Sequence, residues 1–219
     1  MVGKTETPIK KLSRIGSIPL SCEPAGLAAL ETLQFNAGAV AQVLSLLESK
    51  NGYVAFEAAL HVFSTDDAAN VPGLVTWNSP DGWRKLYGLE NDPILFFAQD
   101  LFANQFGITS DKVFRLEAEW GQLTEHSLNL ANWAETVLQD YDYETGWSVG
   151  REWQLANHAI DASERLLAKK PIVLGGDYVS ENFAAIPTAQ CMQQLGRLFN
   201  EIKDKPDGTP VRVKNWLRK

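Results

Sequence analysis

Three short apolar stretches follow one another between residues 94 and 118, and they constrain the fold more than any other part of the chain. Residues 94–98 read Ile-Leu-Phe-Phe-Ala, the pattern of a buried strand. Residues 104–109 form its expected neighbour. Residues 112–118 alternate Val113, Arg115 and Glu117 against Phe114, Leu116 and Ala118, the pattern of a half-exposed strand. The gaps between them are too short for the crossover that parallel strands require, so the three predict an antiparallel meander. Helical patterns lie before and after this block rather than between its strands. That order predicts an α+β fold, a central mostly antiparallel sheet flanked by N-terminal and C-terminal helices, and argues against a doubly wound nucleotide-binding fold.

On the N-terminal side, residues 1–22 read as a loose arm without a sustained period. One helix is expected over residues 24–35. A second is expected over 38–49, where Val40, Val43, Leu44 and Leu47 recur at helical spacing before the turn dipeptide Asn51-Gly52. A dense aromatic-aliphatic stretch then runs from Tyr53 to Phe63. Residues 64–82 read as loop, followed by a short helix near residues 83–86. After the meander, Ser127 is the expected N-cap of a helix striped by Leu130, Ala134, Val137, Leu138 and Tyr141. Residues 151–158 suit a further turn or two of helix, and residues 172–174 a short strand broken by Gly175-Gly176. A last helix starts near Thr188, with Met192, Leu195, Phe199 and Ile202 inward. With no repeat and no linker, the expected organisation is a loose arm (1–22), one domain (23–210) and a basic tail (211–219).

The charge is uneven. The whole chain carries 20 basic and 27 acidic residues, a net charge of −7. Both ends are basic, and the acidity concentrates in residues 90–152, where twelve acids face only Lys112, Arg115 and Arg151. An acidic body disfavours direct nucleic-acid binding, because phosphate recognition needs a dense basic surface. It suits either a solvated surface or one that steers a basic protein partner. Residues 1–22 contain no apolar stretch of the export type, and no run approaches the roughly 20 apolar residues that span a bilayer. Cys22 and Cys191 match no CxxC spacing, so reduced thiols are expected. A cytoplasmic protein without membrane contact is the expectation.

Several stretches approach the patterns of known chemical motifs. Gly146-Trp147-Ser148-Val149-Gly150 fits the G-x-S-x-G pattern of a serine hydrolase. That chemistry needs a strand, a strained turn and a helix, whereas the residues ahead of Gly146 read as the polar end of a helix. Only His158 follows Ser148, with Glu152 the one acid between, which does not suit a triad. Asp140, Asp142 and Glu144 occupy the first positions of a calcium loop, but Thr145 stands where the sharp-turn glycine belongs and Arg151 where the bidentate carboxylate belongs. His61, His126 and His158 have no metal-ligand spacing. Gly175-Gly176-Asp177 lacks the rest of a P-loop. No metal or cofactor is implied. Trp77, Trp83, Trp120 and Trp147 fall in or beside expected loops, where tryptophans either seal the core or anchor interfaces.

The stretch Asn51-Gly-Tyr-Val-Ala-Phe-Glu-Ala-Ala-Leu-His-Val-Phe63 resembles the SUKH superfamily, whose members often read Asn-Gly-aromatic-x-Ala-Phe-Glu-Ser-Ala-Leu-His-Val-Phe after an N-terminal helix. The likeness continues through Trp77-Asn78, Trp83-Arg-Lys-Leu-Tyr87, Phe96-Phe-Ala-Gln-Asp100 and Asn104-Gln-Phe-Gly-Ile108. It extends further through Glu152-Trp-Gln154, Arg165-Leu166, Pro171-Ile-Val-Leu-Gly-Gly-Asp-Tyr178 and Pro206-Asp-Gly208, so that 23–210 reads as one SUKH-like domain. The resemblance implies a sheet flanked by helices and no catalytic site. Many bacterial members are immunity proteins that bind and block polymorphic toxins, often nucleases. A fungal branch is similar to cell-wall assembly regulators that act as interaction hubs. No residue role carries over. The expectation is therefore a non-enzymatic immunity protein that occludes a basic toxin domain. Candidate contacts are Glu117, Glu119, Glu125, Asp140, Asp142 and Glu144, with Trp120 and Trp147 as anchors. The alternatives are a serine hydrolase built on Ser148 and a general regulatory adaptor.

Overall fold

The computed structural model of the 219-residue chain describes residues 6–26, 35–206, 208–211, 213 and 216–217. Its first element corrects the expected loose arm. Helix α1 (Pro8–Ile15) starts at Thr7, whose hydroxyl accepts the Lys10 N–H at 3.4 Å, with Pro8 fixing the first turn. Leu12 on its inner face is completely buried. The arm is short and polar overall, but Ile9 also packs against the core, the Ser13 hydroxyl meets that of Ser49 at 3.0 Å and Lys50 Nζ donates to Ser13 O at 2.6 Å. Residues beyond α1 then run along the sheet: Ser17 donates to Val54 O at 2.7 Å, Leu20 to Gly52 O at 2.9 Å and Ser21 to Asn51 O at 3.1 Å. The helix expected over 24–35 falls mainly on residues 27–34, outside the described residues.

Helix α2 (Ala37–Leu47) is capped by Asn36 and buries Val40, Val43, Leu46 and Leu47. The meander is longer than expected. Strands β1 (Tyr53–Ala55), β2 (Leu60–Val62), β3 (Leu95–Gln99), β4 (Gln105–Ile108), β5 (Val113–Glu117) and β6 (Gln122–Ser127) form a six-stranded sheet in sequence order. Every neighbouring pair is antiparallel. Between β2 and β3 the chain makes helix α3 (Leu74–Trp77) and a 3-10 turn over Trp83–Tyr87. A bulge at Val113/Phe114 breaks the strict alternation expected of β5, so Val113 and Leu116 are both fully buried.

Helix α4 (Leu130–Gln139) starts at Asn129, not Ser127: the Asn129 side chain accepts the Asn132 N–H at 2.9 Å. Ser127 still belongs to β6, opposite Val113. The helix also stops short of Tyr141. Asp140 leaves helical geometry (φ −136°, ψ 57°) and caps α5 (Tyr141–Thr145), which turns at Gly146 into α6 (Trp147–Ala156). Residues 172–174 form a 3-10 turn rather than a strand, held between Pro171 and a left-handed Gly175. The strand lies earlier, in β7 (Glu164–Ala168), which pairs with β8 (Phe183–Pro187) in a separate two-stranded sheet. Helix α7 (Thr188–Ile202) follows and buries Met192 and Leu195 as expected. The result is α+β, with seven α-helices and two antiparallel sheets among the described residues.

The main core lies on the large sheet, where Trp133 packs edge-on against Phe97 at 4.9 Å and Phe106 at 5.7 Å. A second cluster of Leu101, Trp153, Ile160, Leu166 and Phe183 sits under the small sheet. Within it, Leu166 N–H donates to Leu101 O at 2.9 Å and ties β7 to the chain just beyond β3. Among the described residues, no helix is long and apolar enough to cross a membrane. Because α1 is part of the core, Leu12→Ala should cost about 2–5 kcal/mol in urea unfolding, the range of core truncations, whereas a loose arm would give no change.

Candidate functional site

Asp100, just beyond β3, organises the region where most of the candidate residues lie. Its Oδ1 accepts the Phe102 and Asn104 N–H groups, both at 2.9 Å, and its Oδ2 accepts Asn104 Nδ2 at 2.7 Å and Arg115 Nη2 at 3.0 Å. This carboxylate is buried, and desolvation holds its pKa above the ordinary value although Arg115 and the amide donors pull it down. Arg115 extends the chain of contacts: its Nη1 meets Glu144 Oε2 at 3.3 Å. His126 Nε2 donates to the same Glu144 oxygen at 2.8 Å, and His126 Nδ1 meets the Ser127 hydroxyl at 2.7 Å. The network joins β3, β5, β6 and α5.

Over this network lies an open groove of about 460 Å³. Glu117 at the end of β5, Asp140 and Asp142 at the start of α5, and Ser148 at the start of α6 line it, with Tyr143 and Tyr178 at its rim. Local geometry fixes each of them. Asp140 Oδ1 accepts the Tyr143 N–H at 3.4 Å, and Asp142 Oδ1 accepts the Ser148 N–H at 2.7 Å. Gly146, at φ +75°, sits so close to the Phe102 ring that an added Cβ would lie 2.0 Å from it, so the α5–α6 corner needs glycine on both counts. Glu117 and Tyr178 are shared with an adjoining recess of about 170 Å³, walled by Phe102, Asn104, Glu119 and Trp120. Trp120 in turn borders a third depression that holds Lys203 and Lys205. Shared walls thus link the acidic groove, through the recess, to the depression that holds the lysines.

The eight candidates separate by what the fold does with them. Glu117, Asp140 and Asp142 share the groove and pair with no cation among the described residues. Trp120, in the tight turn between β5 and β6, keeps half of its surface exposed. Glu119 lines the recess but is engaged: its Oε1 accepts the Val173 N–H at 2.8 Å, and burial raises its pKa. Glu144 is not a surface contact, because Arg115 and His126 hold it in the interior. Glu125 lies outside the groove on β6, paired with Lys112 at 2.7 Å. Trp147 is packed edge-on against Tyr141 at 5.3 Å with Arg151 over its ring, a seal rather than an anchor. Tyr143 and Tyr178, missed as contacts by the sequence reading, are 76% and 52% exposed, more than Trp147 offers.

The Gly-x-Ser-x-Gly segment spans the corner between two helices, not a strand-to-helix elbow. Ser148 shares no hydrogen bond with any of the three histidines: His126 is held by Glu144, His158 lies 3.5 Å from Glu164 beyond the far end of α6, and His61 is in the interior. Asp140, Asp142 and Glu144 diverge, two capping backbone amides and one facing inward. Among the described residues no three metal-ligating side chains converge.

Two carboxylates with opposite roles give a direct comparison. Asp100→Ala should cost about 3–5 kcal/mol in chemical denaturation, because it leaves Arg115 and several buried donors without their acceptor. Glu125→Ala should cost less than about 1 kcal/mol, as expected for an exposed ion pair.

No protein-family model matches the chain, and no curated protein matches it. Its fold is similar to the crystal structure of Atu4351 from Agrobacterium tumefaciens, with a TM-score of 0.55 and 11% sequence identity over 85% of this chain and 87% of that one. A likeness at that identity is one of fold, and it agrees with the α+β architecture.

Proposed function

We propose that this chain is a non-enzymatic, cytoplasmic protein-binding domain of the SUKH kind, an immunity protein that occludes a cognate toxin. The observation that carries the reading is the groove. Among the described residues Glu117, Asp140 and Asp142 have no cationic partners, and they lie beside the exposed rings of Tyr143 and Tyr178, with Trp120 in the adjoining turn. Carboxylates steer a basic partner into contact, and half-exposed aromatics on a rigid scaffold supply apolar contact area at small entropic cost. A nuclease suits the partner's role, because a surface that binds phosphates is basic. The mechanism is steric: the toxin's basic surface is covered while bound, and no group on this chain needs to react.

The test starts from the neighbouring genes: a basic toxin domain encoded beside this chain's gene is the partner to use, and finding no such gene counts against the immunity reading. The combined variant Glu117→Gln/Asp140→Asn/Asp142→Asn removes charge but keeps an acceptor at both helix caps. It should lower the association rate about tenfold at low ionic strength and flatten its salt dependence. Glu125→Gln should leave the rate unchanged. An unchanged rate in the triple variant rejects the groove as the steering surface. Ser148 should not be labelled by a fluorophosphonate, since none of the three histidines is hydrogen-bonded to its hydroxyl.

A further inference from the structure

The joint between the two sheets holds a second polar cluster, independent of the groove. His61 of β2 is the cross-strand partner of Gln99 on β3. The Leu166 to Leu101 backbone bond sets Arg165 of β7 beside the end of β3. Thr188, the first residue of α7, donates its hydroxyl to Gln99 Oε1 at 2.9 Å. His61, Gln99 and Arg165 are all fully buried.

The protons in this cluster follow from one fixed point. The Trp77 indole can only donate, and Gln105 Oε1 accepts it at 2.8 Å. The Gln105 amide nitrogen therefore donates, to Ala103 O at 2.7 Å and Gln99 Oε1 at 3.2 Å. Gln99 must then present its own Nε2 to His61 Nδ1, 3.0 Å away. Nδ1 is the acceptor, so His61 carries its proton on Nε2. Burial, and then the nearby Arg165, hold His61 well below its ordinary pKa, and the ring is neutral.

That Nε2–H has no acceptor among the described residues, and neither do Nε and Nη2 of Arg165. Arg165 donates only through Nη1, to Glu164 O. Asp100 cannot serve, because its two oxygens already accept four donors. Cys191, also fully buried, is no counterion: burial pushes its pKa up and keeps it a thiol. Arg84 shows what a satisfied buried arginine looks like in the same protein. It is 1% exposed and gives its donors to the carbonyls of Leu89, Asp92 and Ile94 and to the Asn78 side chain. Arg165 has no such set.

We propose that the joint between the sheets is an anion site, in which a small monoatomic anion of the halide class accepts from His61 Nε2 and from Nε and Nη2 of Arg165. A halide suits the position better than water. Every open group is a donor, and the guanidinium makes no direct ion pair among the described residues, Asp100, Asp161 and Glu164 acting on it only through space; a water there would bring two further protons needing acceptors of their own. A bound halide would add a directly hydrogen-bonded counter-charge to those more distant carboxylates.

Bromide is the probe. In crystals of the full chain grown with sodium bromide, anomalous scattering should show a peak within about 3.5 Å of His61 Nε2 and the Arg165 guanidinium. In solution, replacing sodium gluconate with sodium chloride at constant ionic strength should raise the melting temperature by about 2–4 °C in a saturable manner. Arg165→Met should abolish that halide dependence, whatever its own stability. If that variant does not fold, the bromide peak and the native chain's halide response decide the matter. No bromide peak, or a peak with equal melting in chloride and gluconate, would overturn the site.

Discussion

The Asp100 carboxylate is the interaction on which the rest of this structure depends. It closes the β3–β4 turn by accepting two backbone amides, and it fixes Arg115 by accepting a third kind of donor from β5. Arg115 can then hold Glu144, and Glu144 can hold His126. Four elements distant in sequence are aligned through one buried acid. Burial makes the ionised form costly, and only the full set of donors offsets that cost, so the arrangement tolerates little rearrangement. The groove above it inherits this rigidity: Glu117 is two residues from Arg115 on β5, and Asp140 and Asp142 flank the start of the helix that carries Glu144.

The same logic divides the acidic residues into two populations. Asp100, Glu119 and Glu144 satisfy donors inside the fold, and their charge is spent there. Glu117, Asp140 and Asp142 line the groove and form no ion pair among the described residues. The chain's net acidity therefore overstates the field available to a partner in some places and concentrates it in one. The proposed immunity role draws on that concentrated part, with Tyr143 and Tyr178 beside it. The sheet joint shows the reverse imbalance. There His61 and Arg165 present donors without acceptors among the described residues, the imbalance that the proposed halide would answer.

How much of this was legible in the sequence depends on the range of the interaction involved. Strands β3, β4 and β5 were readable because their apolar runs and short connections are local properties. The stripe of α2 and the Thr188 start of α7 were readable for the same reason. Strand β6 was not, since Gln122, Thr124 and Glu125 are exposed and leave no apolar alternation. Helix α1 was missed because it is held by contacts distant in sequence, Leu12 in the core, Ser13 with Ser49 and Lys50 on the Ser13 carbonyl, and Ser127 was misread as a cap because two further residues are needed to turn out of β6. Residues 172–174 look like a strand by composition, yet the flanking Pro171 and Gly175 close them into a turn.

The sequence alone determined the α+β class, the antiparallel order of the meander, the clustering of acids in one stretch and the wrong context of the Gly-x-Ser-x-Gly motif. These follow from spacing and local chemistry, which the chain carries at every position. Only the tertiary structure decided which acids remain available and which are consumed, because that depends on partners far along the chain: Arg115 for Asp100, His126 for Glu144, the Val173 amide for Glu119. It likewise decided that Tyr178 reaches the groove and that Nε and Nη2 of Arg165, near His61, find no acceptor among the described residues. Hydrogen bonds act over about 3 Å in space, whatever the separation in sequence, and one sequence read in order does not contain that distance.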